Sequence, residues 1–254
     1  MKEVIKKNAS VIISASWIFT SCTEGQLLSD YAVVIENDKV VDLVPQNKVF
    51  DEYEANDTYQ LTDHILIPGL INAHTHAAMS LFKGFADDLP LEDWLNNHIW
   101  PAEKKFVNSS FVKDGSILAL SEMIKSGVTT FNDMYFFPEA TAEAVKELGV
   151  RSNIGLVVLD FPTNYATDPE DYLVKGFEFR DKWRNEELIT TSIAPHAPYS
   201  VSNEAFTLIN TYSEELNINI HTHLHETQWE IDQSIDKYGI TPVQRLNNLG
   251  IIGP

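Results

Sequence analysis

The stretch Pro68-Gly69-Leu70-Ile71-Asn72-Ala73-His74-Thr75-His76 decides the fold. Residues 65–71 form a nearly continuous apolar run, the pattern expected of a strand buried on both faces. The run leads into two histidines, two positions apart. Residues i and i+2 of a strand point to the same side, so His74 and His76 converge on one point. In parallel α/β architectures, ligands and chemistry gather at the C-terminal ends of strands. A same-face pair there suits a metal ion better than an isolated histidine such as His64 or His98, which reads as an ordinary hydrogen-bonded residue.

Outward from this stretch, the pattern differs on the two sides. Upstream, residues 11–19, 31–36 and 39–44 read as short strands, and Glu36-Asn37-Asp38-Lys39 is turn chemistry for a hairpin. Residues 45–63 read as polar and irregular. Lys2, Lys6 and Lys7 ahead of 11–19, with Cys22 after it, loosely mimic a signal segment. The alternation of Val11, Ile13, Ala15, Trp17 and Phe19 on one side favours a strand instead. Downstream, helices are expected at 109–126, 138–148, 169–184, 203–216 and 241–249. Strands are expected at 128–132, 152–159, 188–194 and 218–223. This alternation indicates a parallel sheet with right-handed crossovers. The division expected is a small β portion over 1–66 and a larger α/β portion over 67–254.

Composition narrows the function. Of 254 residues, 18 are Lys or Arg and 37 are Asp or Glu, a net charge of −19. So acidic a surface repels phosphate backbones and anionic lipid, so neither nucleic acid nor a membrane is an expected partner. One cysteine, Cys22, excludes an intrachain disulfide framework and suits a reducing cytoplasm. No GxGxxG follows the first strand and no P-loop occurs, so a dinucleotide or nucleoside triphosphate site is unsupported.

The remaining histidines fall at strand ends too. His196 lies in Ala194-Pro195-His196-Ala197-Pro198-Tyr199, and His221, His223 and His225 precede Glu226. Not all three of the latter can turn inward towards one ion. Neutral imidazoles suit Zn²⁺ or Fe²⁺, and a site with an open position lowers the pKa of a bound water towards neutrality. Glu226 is placed to shuttle a proton near such a water.

These motifs resemble the amidohydrolase superfamily. The continuation Met79-Ser80-Leu81-Phe82-Lys83-Gly84, then Asp87-Asp88-Leu89-Pro90-Leu91 and Trp94-Leu95, is similar to the subgroup of 5-methylthioadenosine/S-adenosylhomocysteine deaminases and triazine hydrolases. The motifs around His196 and His223-Leu224-His225-Glu226-Thr227 match it in order. The resemblance implies a (β/α)8 barrel of the TIM type, with its first five strands present here, and a small β-sandwich portion at the N-terminus. It implies His74, His76 and His223 as ligands of one divalent metal, zinc or iron, and Glu226 as the acid/base that protonates the substrate ring. His196 would contact the substrate and Glu103 would hold the ribose hydroxyls. The activity implied is hydrolytic deamination of a nucleoside with loss of ammonia, in the cytoplasm and commonly in an assembly of subunits. Guanine or triazine chemistry is the alternative, and Glu103 favours a ribose. The family pattern also needs a histidine after the sixth strand and an aspartate after the eighth. Neither lies in these residues, so a truncated chain is expected, with no appreciable deaminase activity of its own.

Overall fold

Alternating side chains at the start of the chain build a small sheet. In the computed structural model, which describes residues 6–21 and 25–252, β1 (Lys7–Phe19) pairs antiparallel with β2 (Leu27–Glu36). β2 pairs in turn with β3 (Lys39–Pro45). The hairpin turn expected at 36–39 is formed, with Asn37 in the left-handed region at φ 56°. Helix α1 (Gln46–Glu52) and strand β4 (Tyr53–Leu66) follow, and β4 pairs in parallel with β1. The sheet order is β3-β2-β1-β4. Among the described residues, the sandwich portion is thus this one four-stranded sheet. Lys2 and Cys22, which entered the signal-segment alternative, lie outside the described residues.

Two expectations for this part are corrected. Residues 45–63 are regular helix and strand, not irregular. Most β4 side chains are exposed, so the strand carries no hydrophobic pattern and is fixed by backbone pairing to β1. The buried positions of β1 are Ala9, Ile12, Ser14, Ala15 and Ile18, while Trp17 and Phe19 are exposed. The register of β1 against β4 shifts by two residues between Ala15 and Trp17, where Leu61 and then Ile65 are the partners.

The chain divides into two compact units, Met1–Gly69 and Leu70–Pro254. The second unit contains a parallel sheet in the order β5-β6-β7-β8. Its strands are β5 (Leu70–Thr75), β6 (Val128–Tyr135), β7 (Arg151–Val158) and β8 (Ile189–Pro195). After β5 come a 3₁₀ turn at Ala77–Phe82 and a helical run over 91–106. In that run α2 (Leu91–Asp93) passes through a π-type stretch at Trp94–Ile99 into α3 (Trp100–Phe106). Helices α4 (Ser109–Lys125), α5 (Pro138–Leu148), α6 (Pro169–Trp183) and α7 (Asn203–Leu216) alternate with the strands. They are followed by α8 (Gln228–Tyr238) and α9 (Pro242–Asn248). Their boundaries have local causes. Asn108, Asp168, Ser202, Thr227 and Thr241 cap N-termini through their side chains, and Gly149 and Gly239 close α5 and α8 in the left-handed region. Phe131, Ile154, Ile193, Leu120 and Phe206 fill the core.

The fifth expected strand is reduced. Residues 218–223 run beside β8 through one parallel bridge, Ile193 to Ile220. Ile193 N–H donates to Asn219 O (2.9 Å) and His221 N–H to Ile193 O (2.9 Å). The double-sided burial expected of 65–71 is also corrected. Leu66 ends β4, Leu70 begins β5, and Leu70 and Ile71 are 50% and 71% exposed. β5 is an edge strand: β6 covers one side, and no strand pairs with the other among the described residues.

One close approach sets the position of the residues after His76. A Cβ on Gly115 of α4 would lie 2.3 Å from the backbone oxygen of Ala78. Gly115→Ala is therefore expected to cost on the order of 2–3 kcal/mol, and denaturant unfolding of the purified variant measures it.

Candidate metal centre

The strand ends bring His74, His76 and His223 together, with one nitrogen of each lying within 4.8 Å of the others. His223 Nε2 is 3.1 Å from His74 Nε2 and 3.1 Å from His76 Nε2. The outer nitrogens settle the tautomers. His76 Nδ1–H donates to Met134 O at 2.6 Å, and His223 Nδ1–H donates to His196 O at 2.7 Å. A carbonyl only accepts, so Nε2 of both rings carries a lone pair. Burial lowers the pKa of all three imidazoles, that of His76 to about 4, which keeps them neutral.

Lone pairs facing one another at this distance repel unless a positive charge sits between them. Ligands about 2.1 Å from a common ion lie roughly 3.0–3.4 Å apart, which is the spacing of His223 Nε2 from the nitrogens of His74 and His76. The donor set thus fits a divalent cation, and the carbonyl bonds to the outer nitrogens provide the orienting contacts such ligands use.

His74 is held from a different direction. Its Nδ1 is 2.9 Å from Nε2 of His221. If His74 Nε2 serves a cation, Nδ1 carries the proton and donates to His221. The His221 proton then lies on Nδ1, which is buried and has no hydrogen-bond partner among the described residues. Two further contacts fix the backbone beside the ligands. Asp133 Oδ1 accepts the N–H of Ala77 (2.8 Å), and His223 N–H donates to His196 O (3.1 Å).

His196 adjoins the cluster, with its ring centroid 5.0 Å from that of His223. Ser200 Oγ–H donates to Ala197 O (3.2 Å), so Oγ accepts from His196 Nδ1 at 2.7 Å and leaves Nε2 as an acceptor. Burial, then the neighbouring His223, hold the His196 pKa well below its usual value. Glu103, from α3, lines the same cavity of about 70 Å³ as His76 and His196. An adjoining cleft of about 400 Å³ shares Trp100, Glu103 and Phe136 with it.

Glu226 follows a sharp turn. His225 sits at φ 57°, which tips the chain away from the strand direction. Its ring lies outside the histidine trio, where Nε2 accepts from Val243 N–H (3.3 Å). Glu230, 1% exposed, secures the turn by accepting the N–H of His225 (3.0 Å) and of Glu226 (2.9 Å), one on each carboxylate oxygen. Partial burial and then the charge of Glu230 raise the Glu226 pKa, while His74 opposes them.

Glu230, Tyr135 and Asp133 were not singled out from the sequence. Glu230 had a visible signal, because Thr227 and Glu230 stand in capping spacing ahead of a helix closed by Gly239. Tyr135 and Asp133 had none beyond their place on β6.

Together, the parallel α/β sheet and the histidine trio at its strand ends define a scaffold whose donor set fits a divalent cation. The profile of the amidohydrolase family matches residues 65–254, and the chain belongs to that family. It is 45% identical over 249 residues to the 5-methylthioadenosine/S-adenosylhomocysteine deaminase of Saccharophagus degradans, covering 98% of this chain and 56% of the relative. It is 45% identical over 186 residues to the 5'-deoxyadenosine deaminase of Methanococcus maripaludis, covering 73% and 44%. The solved structure of an adenosine deaminase from Xanthomonas campestris with bound zinc superposes with a TM-score of 0.95 at 37% identity, covering 98% of this chain and 57% of that one. The chain thus spans a little over half the length of the Saccharophagus degradans and Xanthomonas campestris relatives.

His221→Phe removes the acceptor that orients His74. It is expected to weaken divalent-metal binding roughly 10–100-fold, the usual cost of losing an orienting partner, as read by competition with a chromophoric chelator.

Proposed function

We propose that the protein is a metal-dependent deaminase that hydrolyses the 6-amino group of adenosine-type nucleosides, 5-methylthioadenosine or S-adenosylhomocysteine, and releases ammonia. The observation that carries the proposal is the convergence of three imidazole nitrogens beside a cavity that also holds His196 and Glu103. The names of the relatives supply the substrate class, since all three act on an adenine ring attached to a ribose.

His74, His76 and His223 would hold the ion, and zinc is supported over iron by the zinc-bound relative. When bound, the ion supplies Lewis acidity that brings the pKa of a water towards neutrality. The remaining work falls to side chains of this chain. Glu226, its pKa raised, holds a proton for the ring nitrogen N1, which makes C6 a better electrophile. Addition of water to C6 and departure of the amino group as ammonia convert the amidine to a ring carbonyl. His196 Nε2, an acceptor, steadies a hydroxyl or water proton at the reacting carbon. Glu103 accepts hydrogen bonds from the ribose, and the aromatic wall of Trp100 and Phe136 encloses the nucleoside. No helix among the described residues is long and apolar enough to cross a membrane. The single cysteine, Cys22, supports placing the reaction in a reducing cytoplasm.

The test is the full-length protein mixed with 5-methylthioadenosine and followed by the absorbance change from an adenine to a hypoxanthine ring. Turnover is expected, and Glu226→Gln should lower kcat by about 10²–10⁴-fold with little change in KM. Absence of any absorbance change at high enzyme concentration, with metal bound, refutes the proposal.

A further inference from the structure

Glu103 is a carboxylate in an unusual setting. Burial pushes its pKa up to about 7, and no Lys or Arg is paired with it among the described residues. Its side-chain partner is Tyr135, the last residue of β6, whose hydroxyl donates to Glu103 Oε1 at 2.7 Å. Tyr135 is 5% exposed, and burial, with the neighbouring Glu103, keeps its phenol protonated and therefore a donor.

The position of Tyr135 is set by the same strand end that orients a metal ligand. The carbonyl of Met134 receives the Nδ1–H of His76, and the next ring along, Tyr135, lies 6.4 Å from the His76 ring. The backbone of α3 is fixed separately. Asn164 Nδ2 donates to Glu103 O, Lys104 O and Val107 O at 3.3, 3.0 and 2.9 Å, holding the end of the helix. Asn164 thus locates the Glu103 backbone, and Tyr135 locates its carboxylate.

A carboxylate offers about four lone-pair sites. Tyr135 occupies one of them on Oε1, which leaves Oε2 and the remaining sites for the cavity. It also stops rotation of the group about its last bond. Vicinal hydroxyls need two acceptors held at a fixed spacing, and a buried carboxylate free to rotate or to take up a proton provides neither.

We infer that Tyr135 is a positioning residue for substrate specificity: its hydroxyl holds Glu103 in the orientation that accepts the two vicinal hydroxyls of a ribonucleoside. The inference rests on the deaminase reading above. The Tyr135 hydroxyl is committed to Glu103, so its effect appears in recognition of the sugar and not in the chemical step.

The test uses Tyr135→Phe in the full-length, metal-loaded protein with 5-methylthioadenosine and its 2′-deoxy analogue, together with calorimetric binding of inosine and 2′-deoxyinosine. Y135F should raise KM and Kd for the ribose compounds roughly tenfold and leave those for the deoxy compounds within about twofold, with kcat little changed. Glu103→Ala, alone and combined with Y135F, closes the cycle: once Glu103 is gone, Y135F should have no further effect on the ribose compounds. An equal loss for ribose and deoxy compounds makes Tyr135 a structural residue only and overturns the inference. So does a Y135F effect that persists in the Glu103→Ala background. Should Y135F fail to fold, Glu103→Gln decides instead, because the amide keeps one acceptor but presents an N–H₂ to the sugar or to Tyr135. It must then lose ribose discrimination, and retained discrimination overturns the inference. A wild-type protein that binds none of the four nucleosides overturns the deaminase reading and this inference together.

Discussion

Imidazole lone pairs 3.1 Å apart are a constraint that the rest of the second unit serves. Nothing in the local chain favours such a meeting, and each ring is held there by a bond on its far side. Carbonyls of Met134 and His196 hold two of them, and a histidine holds the third. Asp133 steadies the backbone after His76, and Gly115 lets α4 come close enough to support it. These contacts fix repulsive groups in place, which is the usual way a protein prepares a site for a cation.

The same economy governs the turn that carries Glu226. Glu226 is not buried in a rigid strand, but it follows a residue at positive φ whose N–H, with its own, is bound by the carboxylate of Glu230. A buried carboxylate is costly unless its oxygens are satisfied, and here two backbone donors satisfy them. Arg245, 2% exposed, does similar work for the loop after His196 by donating to the carbonyls of Pro198 and Val201.

Much of this was legible in the sequence because it rests on short-range regularities. The alternation of apolar runs with capped helices located β6, β7, β8 and the helices between them. The HxH spacing pointed to His74 and His76 as a pair, and the family resemblance added His223. What escaped depends on partners far away in the chain. The strand β4 is polar and exists through its pairing with β1. The apolar run before His74 reads as doubly buried, yet Leu70 and Ile71 lie on an edge strand with much of their surface exposed. Tyr135 and Glu103 are 32 positions apart, and no pattern in either segment announces their bond.

The histidine trio has a mechanical consequence. His74 and His223 are separated by 149 positions, so an ion held between them closes a loop comprising most of the second unit. Such a tie works like a covalent staple: it removes conformations from the unfolded chain, and the benefit grows slowly with loop length. Among the described residues, 218–223 pair with β8 through a single bridge and β5 has a strand on one side only, so the weakest-paired ends of the sheet are the ones the ion would fasten together. Occupancy of the site is therefore also a question of folding, and the assembled sheet and the loaded site should be populated together.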